Sequence, residues 1–332
     1  MSSETNGLVV VDKPAGCTSH DVVDRLRRAF GQRKVGHAGT LDPDATGVLL
    51  VGLGKVTRLL RWLSGLEKRY TGEVVLGIAT TTLDGAGDVT QTWDMSGVTL
   101  SAARAAAGRL TGKISQVPPM VSAVKVGGRR LHELARQGVE VERAPRVVKV
   151  TRFEVELSGY SAGADAGGPG PGGLGPGGLG KPGGPVLAID VTCSSGTYVR
   201  SLAADLGVLL GGGAHLRNLR RLSVGPFSVS QAVALRDLEM SPPELRSHYV
   251  LAPAEALPGM TRAVVGGDLA LAVGHGKVMP IEVLGPVGHG DEAASPGSGA
   301  GPWAVLDESG QLLAVYEALG SGVAKPAVVL VR

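Results

Sequence analysis

The sequence predicts an α+β fold: a mixed, mainly antiparallel sheet with flanking helices, followed by a small C-terminal β-barrel. Three observations predict it. Apolar runs of strand length recur through the first part of the chain with hairpin-length gaps, unlike a regular βαβ winding. Segments of helical period interrupt them. From about Leu251 the texture changes to short apolar runs separated by turns.

Leu8 to Val11 reads as a short strand ending in Asp12-Lys13-Pro14. Thr18 and Ser19 then offer N-caps to an amphipathic helix with Val22, Val23, Leu26 and Phe30 on one side. Val48 to Leu53 reads as a buried strand and Tyr70 to Ile78 as a half-buried one. Ser101 to Leu110 is expected to be a second helix and Arg129 to Gln137 a third, with Leu131 and Leu134 as its apolar residues; the helices should cover one sheet face. Val147 to Leu157 and Val186 to Cys193 read as strands joined by a Gly/Pro-rich segment over residues 159–185, in which Pro-Gly-Gly-Leu-Gly is written twice. Without an every-third-residue glycine it is not collagen, and without apolar side chains it cannot offset the entropy of ordering, so a flexible insertion is expected. In the C-terminal part Lys277 to Val283, Trp303 to Leu306, Leu312 to Ala318 and Ala327 to Val331 read as strands, with a second flexible loop over 288–302. The domain division expected is a disordered tail at 1–6, a large domain over 7–248 and a small one over 249–332.

A chain of 332 residues at 43% apolar can bury a substantial core in one large domain and a small one. No apolar run reaches the roughly eighteen residues of a membrane span, and the opening Met-Ser-Ser-Glu-Thr-Asn lacks the parts of a signal peptide. A cytoplasmic protein that does not engage a membrane is expected. Cys17 and Cys193 stand far apart without a Cys-x-x-Cys partner, which argues for free thiols over a zinc site or disulfides. The net charge is +3, with Arg25, Arg27, Arg28, Arg33 and Lys34 crowding one stretch and Arg217, Arg220 and Arg221 another, as on a surface that meets phosphates. Aromatic residues make up 3%, too few for the stacking platform of a single-strand binder, so a folded RNA is the expected partner.

The string from Gly36 to Arg58, Gly-His-Ala-Gly-Thr-Leu-Asp-Pro-Asp-Ala-Thr-Gly followed by an apolar strand, plants Asp42 in a glycine-punctuated loop. Pro43 steers Asp42 away from helical geometry, while Gly36, Gly39 and Gly47 permit tight turns or close approach of a ligand. The competing reading is an ordinary turn in which Asp42 or Asp44 caps the next element.

The string resembles the catalytic motif of the TruB-type tRNA pseudouridine synthases. The resemblance covers most of residues 7–238 and includes Lys68-Arg69-Tyr70, the segment from Cys193 through Ser194-Ser195-Gly196-Thr197-Tyr198-Val199-Arg200, and Ala214-His215-Leu216-Arg217-Asn218-Leu219-Arg220-Arg221. It implies the pseudouridine synthase fold with a C-terminal PUA-like RNA-binding domain, the latter on the weaker match of Gly274-His275-Gly276-Lys277 and the closing Pro326-Ala327-Val328-Val329-Leu330. It also implies isomerisation of the uridine at position 55 in the tRNA T loop, by base flipping and without cofactor or metal. Asp42 is then the catalytic carboxylate, Tyr70 stacks on the uracil, Tyr198 packs against the base or takes its C5 proton, and Arg200 pairs with Asp42 and favours its anion. Leu219 lines the pocket, His37 helps hold the flipped conformation, Lys13 braces the site, and Lys68 and Arg220 join the substrate-binding set. Tyr198 and Arg200, two apart on an extended segment, should face one side. The implied enzyme is a monomer that acts on the tRNA T arm without a protein partner. Two rivals keep the fold: an RNA chaperone with incidental turnover, and a guide-RNA-dependent relative. Val121 and His132 stand where such enzymes usually carry Tyr, which puts in doubt whatever contacts those rings make.

Overall fold

A computed structural model describes residues 4–122, 125–126, 128–131, 134, 137, 139, 141–160, 183–284, 301–320 and 322–331. The chain opens with β1 (Gly7–Lys13), α1 (Ser19–Phe30), β2 (Val35–Ala38), β3 (Thr46–Leu53), a 3-10 turn (Gly54–Leu59), α2 (Leu60–Ser64) and β4 (Lys68–Leu76). β5 (Ile78–Thr80), β6 (Val89–Thr92), α3 (Leu100–Arg109), β7 (Gly112–Gln116), β8 (Lys125–Val126) and β9 (Arg129–Arg130) follow. The part of the chain that builds the large sheet closes with β10 (Arg146–Tyr160), β11 (Pro185–Cys193), α4 (Val199–Leu209), β12 (Ala214–Val224), β13 (Phe227–Ser228), β14 (Val233–Ala234) and α5 (Leu235–Met240). Beyond it lie β15 (Thr261–Val265), α6 (Gly267–Gly274), β16 (Met279–Pro280), β17 (Trp303–Asp307), β18 (Leu312–Ala318) and β19 (Val323–Val329).

The large sheet runs β14-β1-β3-β12-β4-β11-β10-β7, with β2 added to β3 and β13 to β12. Its β1–β14 and β3–β12 pairs are parallel and the others antiparallel, the mixed arrangement the sequence predicts. The second sheet runs β15-β17-β18-β19-β16. No helix of the described residues is long and apolar enough to cross a membrane.

Local signals explain the element that leads into the site. Thr18 and Asp21 form a capping box, with Asp21 N donating to Thr18 Oγ1 at 3.1 Å and Thr18 N to Asp21 Oδ2 at 2.8 Å. Gly31 ends α1 in the left-handed conformation at φ 61°.

α3 and α4 pack on one face of the β4, β10, β11 and β12 region through Ala103, Ala107, Leu202 and Leu206. β1 and β3 are covered on both faces, in keeping with the buried strand read at Val48 to Leu53. Val9, Val11, Leu49 and Val51 meet α1 and α5, while Leu8, Val10, Val48 and Leu50 meet Leu59, Leu63 and the second sheet through Leu306, Val315 and Leu330. That is why Leu8–Val11 reads as an unbroken apolar run.

Several boundaries differ from the sequence reading. Arg129–Arg130 is a strand paired with Lys125–Val126, and of the expected third helix only Leu131 and Leu134 are described as helical, both buried. In the C-terminal part, α6 was not expected, and most of Lys277 to Val283 is a two-residue strand followed by a 3-10 turn, because Pro280 interrupts the ladder. Residues 161–182 and 285–300, which hold most of both expected flexible segments, and His132 lie outside the described residues. The tail is not free at its inner end: Thr5 N donates to Gln32 Oε1 at 2.9 Å and Asn6 Oδ1 accepts from Lys55 N at 2.6 Å. Nor is residue 248 a clean break, since Leu251 bridges to Leu8 and packs on the shared core.

Gly47 is required by the parallel β3–β12 register, where it lies opposite Arg221 at φ 101°, and a Cβ there would collide with the Arg221 backbone. Gly47→Ala should lower stability by about 2 kcal/mol or more, read as a drop in the urea midpoint at constant m-value.

Candidate active site

The loop between β2 and β3 carries Asp42, and buried groups on both sides of it fix its backbone. Ser19 Oγ accepts from Leu41 N at 2.9 Å and donates to Leu41 O at 3.1 Å. The fully buried Lys13 ammonium donates to Pro14 O, Cys17 O and Pro43 O at 2.8, 2.7 and 2.9 Å. All three ammonium protons are therefore spent on carbonyls, the last of them immediately after Asp42. On the other side the buried Arg221 donates to Val48 O at 2.6 Å and Gly39 O at 2.8 Å. Lys13→Met would leave three carbonyls without their cation and should cost about 2–3 kcal/mol, checked by chemical denaturation.

Arg200 sits in the first turn of α4 and meets Asp42 with a two-pronged contact: Nε lies 2.9 Å from Oδ2 and Nη2 donates to Oδ1 at 3.1 Å. The other guanidinium protons go to Thr82 O and Val121 O, each at 2.9 Å, and Asp84 Oδ2 lies 3.4 Å from Nη1. Arg200 is 5% exposed and so saturated that it has one position available, whereas Asp42 keeps 41% of its side chain open to the pocket. Burial pushes the Asp42 carboxyl above its ordinary value; Arg200 opposes that shift and the neighbouring Asp84 adds to it. The sequence reading foresees the Arg200 effect, but desolvation outweighs it.

Tyr198 is the N-cap residue of α4, and Arg200 lies inside the helix, so the two do not share an extended segment. Ser195-Gly196-Thr197 turns the chain after β11 ends, and helix rather than strand geometry then sets the spacing. Both residues still line one pocket. Gln116 holds the Tyr198 backbone at two points: Tyr198 N donates to its Oε1 at 2.8 Å and its Nε2 donates to Tyr198 O at 3.1 Å.

The pocket encloses about 260 Å³. Tyr70, Tyr198, Val199 and Leu219 supply its apolar walls, and Asp42, Arg200, Lys68 and Arg221 its charges. Leu219 reaches it because β12 bulges between Arg217 and Arg220, with Asn218 at φ 54° and its amide donating to Glu73 at 2.7 Å. Lys68 is buried and donates to Ser64 O and Leu66 O, both at 2.6 Å.

Six of the sequence-predicted residues thus share the pocket: Asp42, Lys68, Tyr70, Tyr198, Arg200 and Leu219. Lys13 lies behind the loop. His37 is on β2 and does not line the pocket; its Nδ1 is buried without a hydrogen-bond partner, and burial, then repulsion from His20 and Arg221, lowers its pKa. Arg220 also lies outside the pocket lining and pairs with Asp12 through bonds of 3.0 and 2.7 Å. Of the expected phosphate-facing cluster at 217–221 only Arg221 is in the core; Arg217 pairs with Glu73 and Arg220 with Asp12, and both keep about a third of their side chains exposed. The bulge reorients the strand, which a reading of charge density alone misses. Asp84, Arg221 and Gln116 were not singled out for the site; Asp84 follows Leu83 at φ 63° in a tight Asp-Gly turn, which is the local signal that was available.

Residues 27–164 match the TruB family pseudouridylate synthase N-terminal domain, and residues 200–257 match the tRNA pseudouridylate synthase B C-terminal domain. The tRNA pseudouridine synthase B of Symbiobacterium thermophilum is 46% identical over 276 residues, covering 83% of each chain. That of Arthrobacter sp. is 42% identical over 326 residues, covering 98% of this chain and 96% of the relative. The chain belongs to the TruB family. A solved structure of an H/ACA RNP bound to a substrate RNA containing 2′-deoxyuridine aligns with a TM-score of 0.66 at 22% identity, over 98% of this chain and 85% of the other, and shares the fold. For this TruB family member the match spans both sides of the pocket: Asp42 and Tyr70 fall in the first matched region and Arg200 and Leu219 in the second.

Proposed function

We propose that this protein isomerises uridine to pseudouridine at position 55 in the T loop of tRNA, with Asp42 as the essential carboxylate acting on a flipped-out base. The observation that carries the reading is the forked Asp42–Arg200 pair in the lining of a pocket walled by Tyr70, Tyr198 and Leu219. The walls suit a flat base, and the carboxylate lies where the sugar would follow it in. Flipping costs on the order of a few kcal/mol in lost stacking, which Tyr70 and Leu219 replace. Attack at C1′, addition at C6 and removal of the C2′ proton each require Asp42 to be ionised, and Arg200 serves that end.

The large domain performs the chemistry and the PUA-like C-terminal part adds RNA contacts. The enzyme works in the cytoplasm as a monomer, on bare tRNA, without guide RNA, protein partner, metal or cofactor. Exposed Arg28, Arg33 and Lys34 remain candidates for phosphate contact.

The test is release of tritium from C5-labelled uridine in unmodified tRNA, followed by carbodiimide-stalled primer extension. The reading expects release by the purified protein alone and a stop at position 55. Tight binding without release would favour a chaperone or partner-dependent role, and a stop elsewhere would overturn the assigned target.

A further inference from the structure

We propose that Lys68 and Arg221 form an anion site for the uracil ring once its N1–C1′ bond has broken, Lys68 making the contact and Arg221 standing behind it. The inference rests on the isomerisation proposed above and gives two charges a part in the bond-breaking step, which that reading does not assign them.

Three cations line the pocket. Arg200 is balanced by Asp42 at 2.9 Å and Asp84 at 3.4 Å. Lys68 and Arg221 are 5% and 1% exposed, yet neither has a carboxylate within ion-pair distance among the described residues. Buried cations are normally paired, because desolvation is otherwise uncompensated. Lys68 has carbonyls alone, Arg221 has carbonyls and the neutral Tyr70 hydroxyl, and the two cations repel each other. Lys68 spends two of its three protons on Ser64 O and Leu66 O. Burial and then Arg221 bring its pKa down to about 8, so the proton is held loosely. An unpaired positive corner fits a ligand that becomes negative during the reaction.

The departing base does so. When N1–C1′ breaks, the bonding electron pair stays on the ring, spread over N1 and its carbonyl oxygens. The sugar is satisfied by a bond to the Asp42 carboxylate or by loss of its C2′ proton to it. The ring turns and C5 uses a ring electron pair to bond C1′, which either expels the Asp42 carboxylate with its bonding pair or accompanies return of the C2′ proton, and the proton lost from C5 is matched by one gained at N1. Nothing is oxidised. A cation at the ring stabilises the separated pair more than bound uridine, so it lowers the barrier rather than merely tightening binding.

The structural alternative is that Lys68 only caps the carbonyl end of α2. Single-turnover rates of wild type, Lys68→Met and Lys68→Arg separate the two, using T-arm RNA with uridine or 6-azauridine at the target and working at about pH 6. The aza base departs more easily and keeps both carbonyls. Lys68→Met should lose about 10²-fold on uridine, with RNA affinity nearly unchanged, and at least about tenfold less on 6-azauridine. Lys68→Arg should recover most of the rate. In wild type an alkaline limb near about 8 should appear and be absent from Lys68→Arg, a comparison that stands even if the Met variant does not fold. Besides Arg221 on β12, the titratable groups at this corner are Cys193 on β11, whose thiol burial pushes up to about 11, Tyr70 on β4, and Asp42 and Arg200 across the pocket. Equal losses on both bases, or an unchanged limb in Lys68→Arg, would overturn the proposal. Failure of wild type to convert uridine would instead remove the isomerase reading beneath it.

Discussion

Asp42→Asn should abolish pseudouridine formation, by at least about 10³-fold in single-turnover rate, while tRNA affinity stays within about threefold. Asparagine keeps the size of the side chain and one acceptor oxygen for Arg200. What it lacks is the anion. Arg200 would remain held by Thr82 O, Val121 O and Asp84, so the pocket would keep its shape. Tritium release and filter binding on the same preparation check the two halves of this statement. A parallel fall in affinity would mean that Asp42 anchors RNA, and retention of turnover would remove it from the chemistry altogether.

Arg200→Gln should be nearly as damaging, and its signature lies in pH. Burial already raises the Asp42 carboxyl, and Arg200 is the main influence pulling it back. Without Arg200 the carboxyl moves further up, so the acid limb of the rate shifts to higher pH because the anion is needed. Asp84 pushes the other way, so Asp84→Asn should move that limb to lower pH. Opposite shifts in the two variants are the expected result; shifts in one direction would mean that the limb reports another group. Arg200→Gln should also cost about 3 kcal/mol of stability, the low end for a broken buried pair because Asp42 keeps part of its surface in water.

Much of this site is legible in the sequence. The Asp-Pro dipeptide among glycines marks Asp42 as presented, and Tyr198 and Arg200 line one pocket although a helix start, not the expected extended segment, relates them. The Thr18 cap and the unbroken apolar run of β1 were equally readable, because both signals are local. The misreadings share a physical cause. Whether an arginine faces water depends on which residues oppose it across a sheet, and the bulge at Arg217–Arg220 changes that pairing without any mark in composition. Arg221 looked like surface charge and is among the most buried side chains of the protein. Gln116 lies 82 residues from Tyr198 in sequence, and no short-range pattern announces their contact.

The second sheet does more than add surface. Leu306, Leu312, Val315 and Leu330 share one apolar cluster with Leu8, Val10 and Leu50 of the large sheet, and Arg58 and Arg61 reach across to Val329 O and Glu317, each at 2.7 Å. A seam of that kind resists hinge motion between the two sheets. The two parts should melt as one cooperative unit in a calorimeter, and they present RNA with a gauge of fixed spacing. On the function proposed above, the tRNA then does the bending, and the free energy of docking goes into deforming the RNA rather than into closing the protein around it.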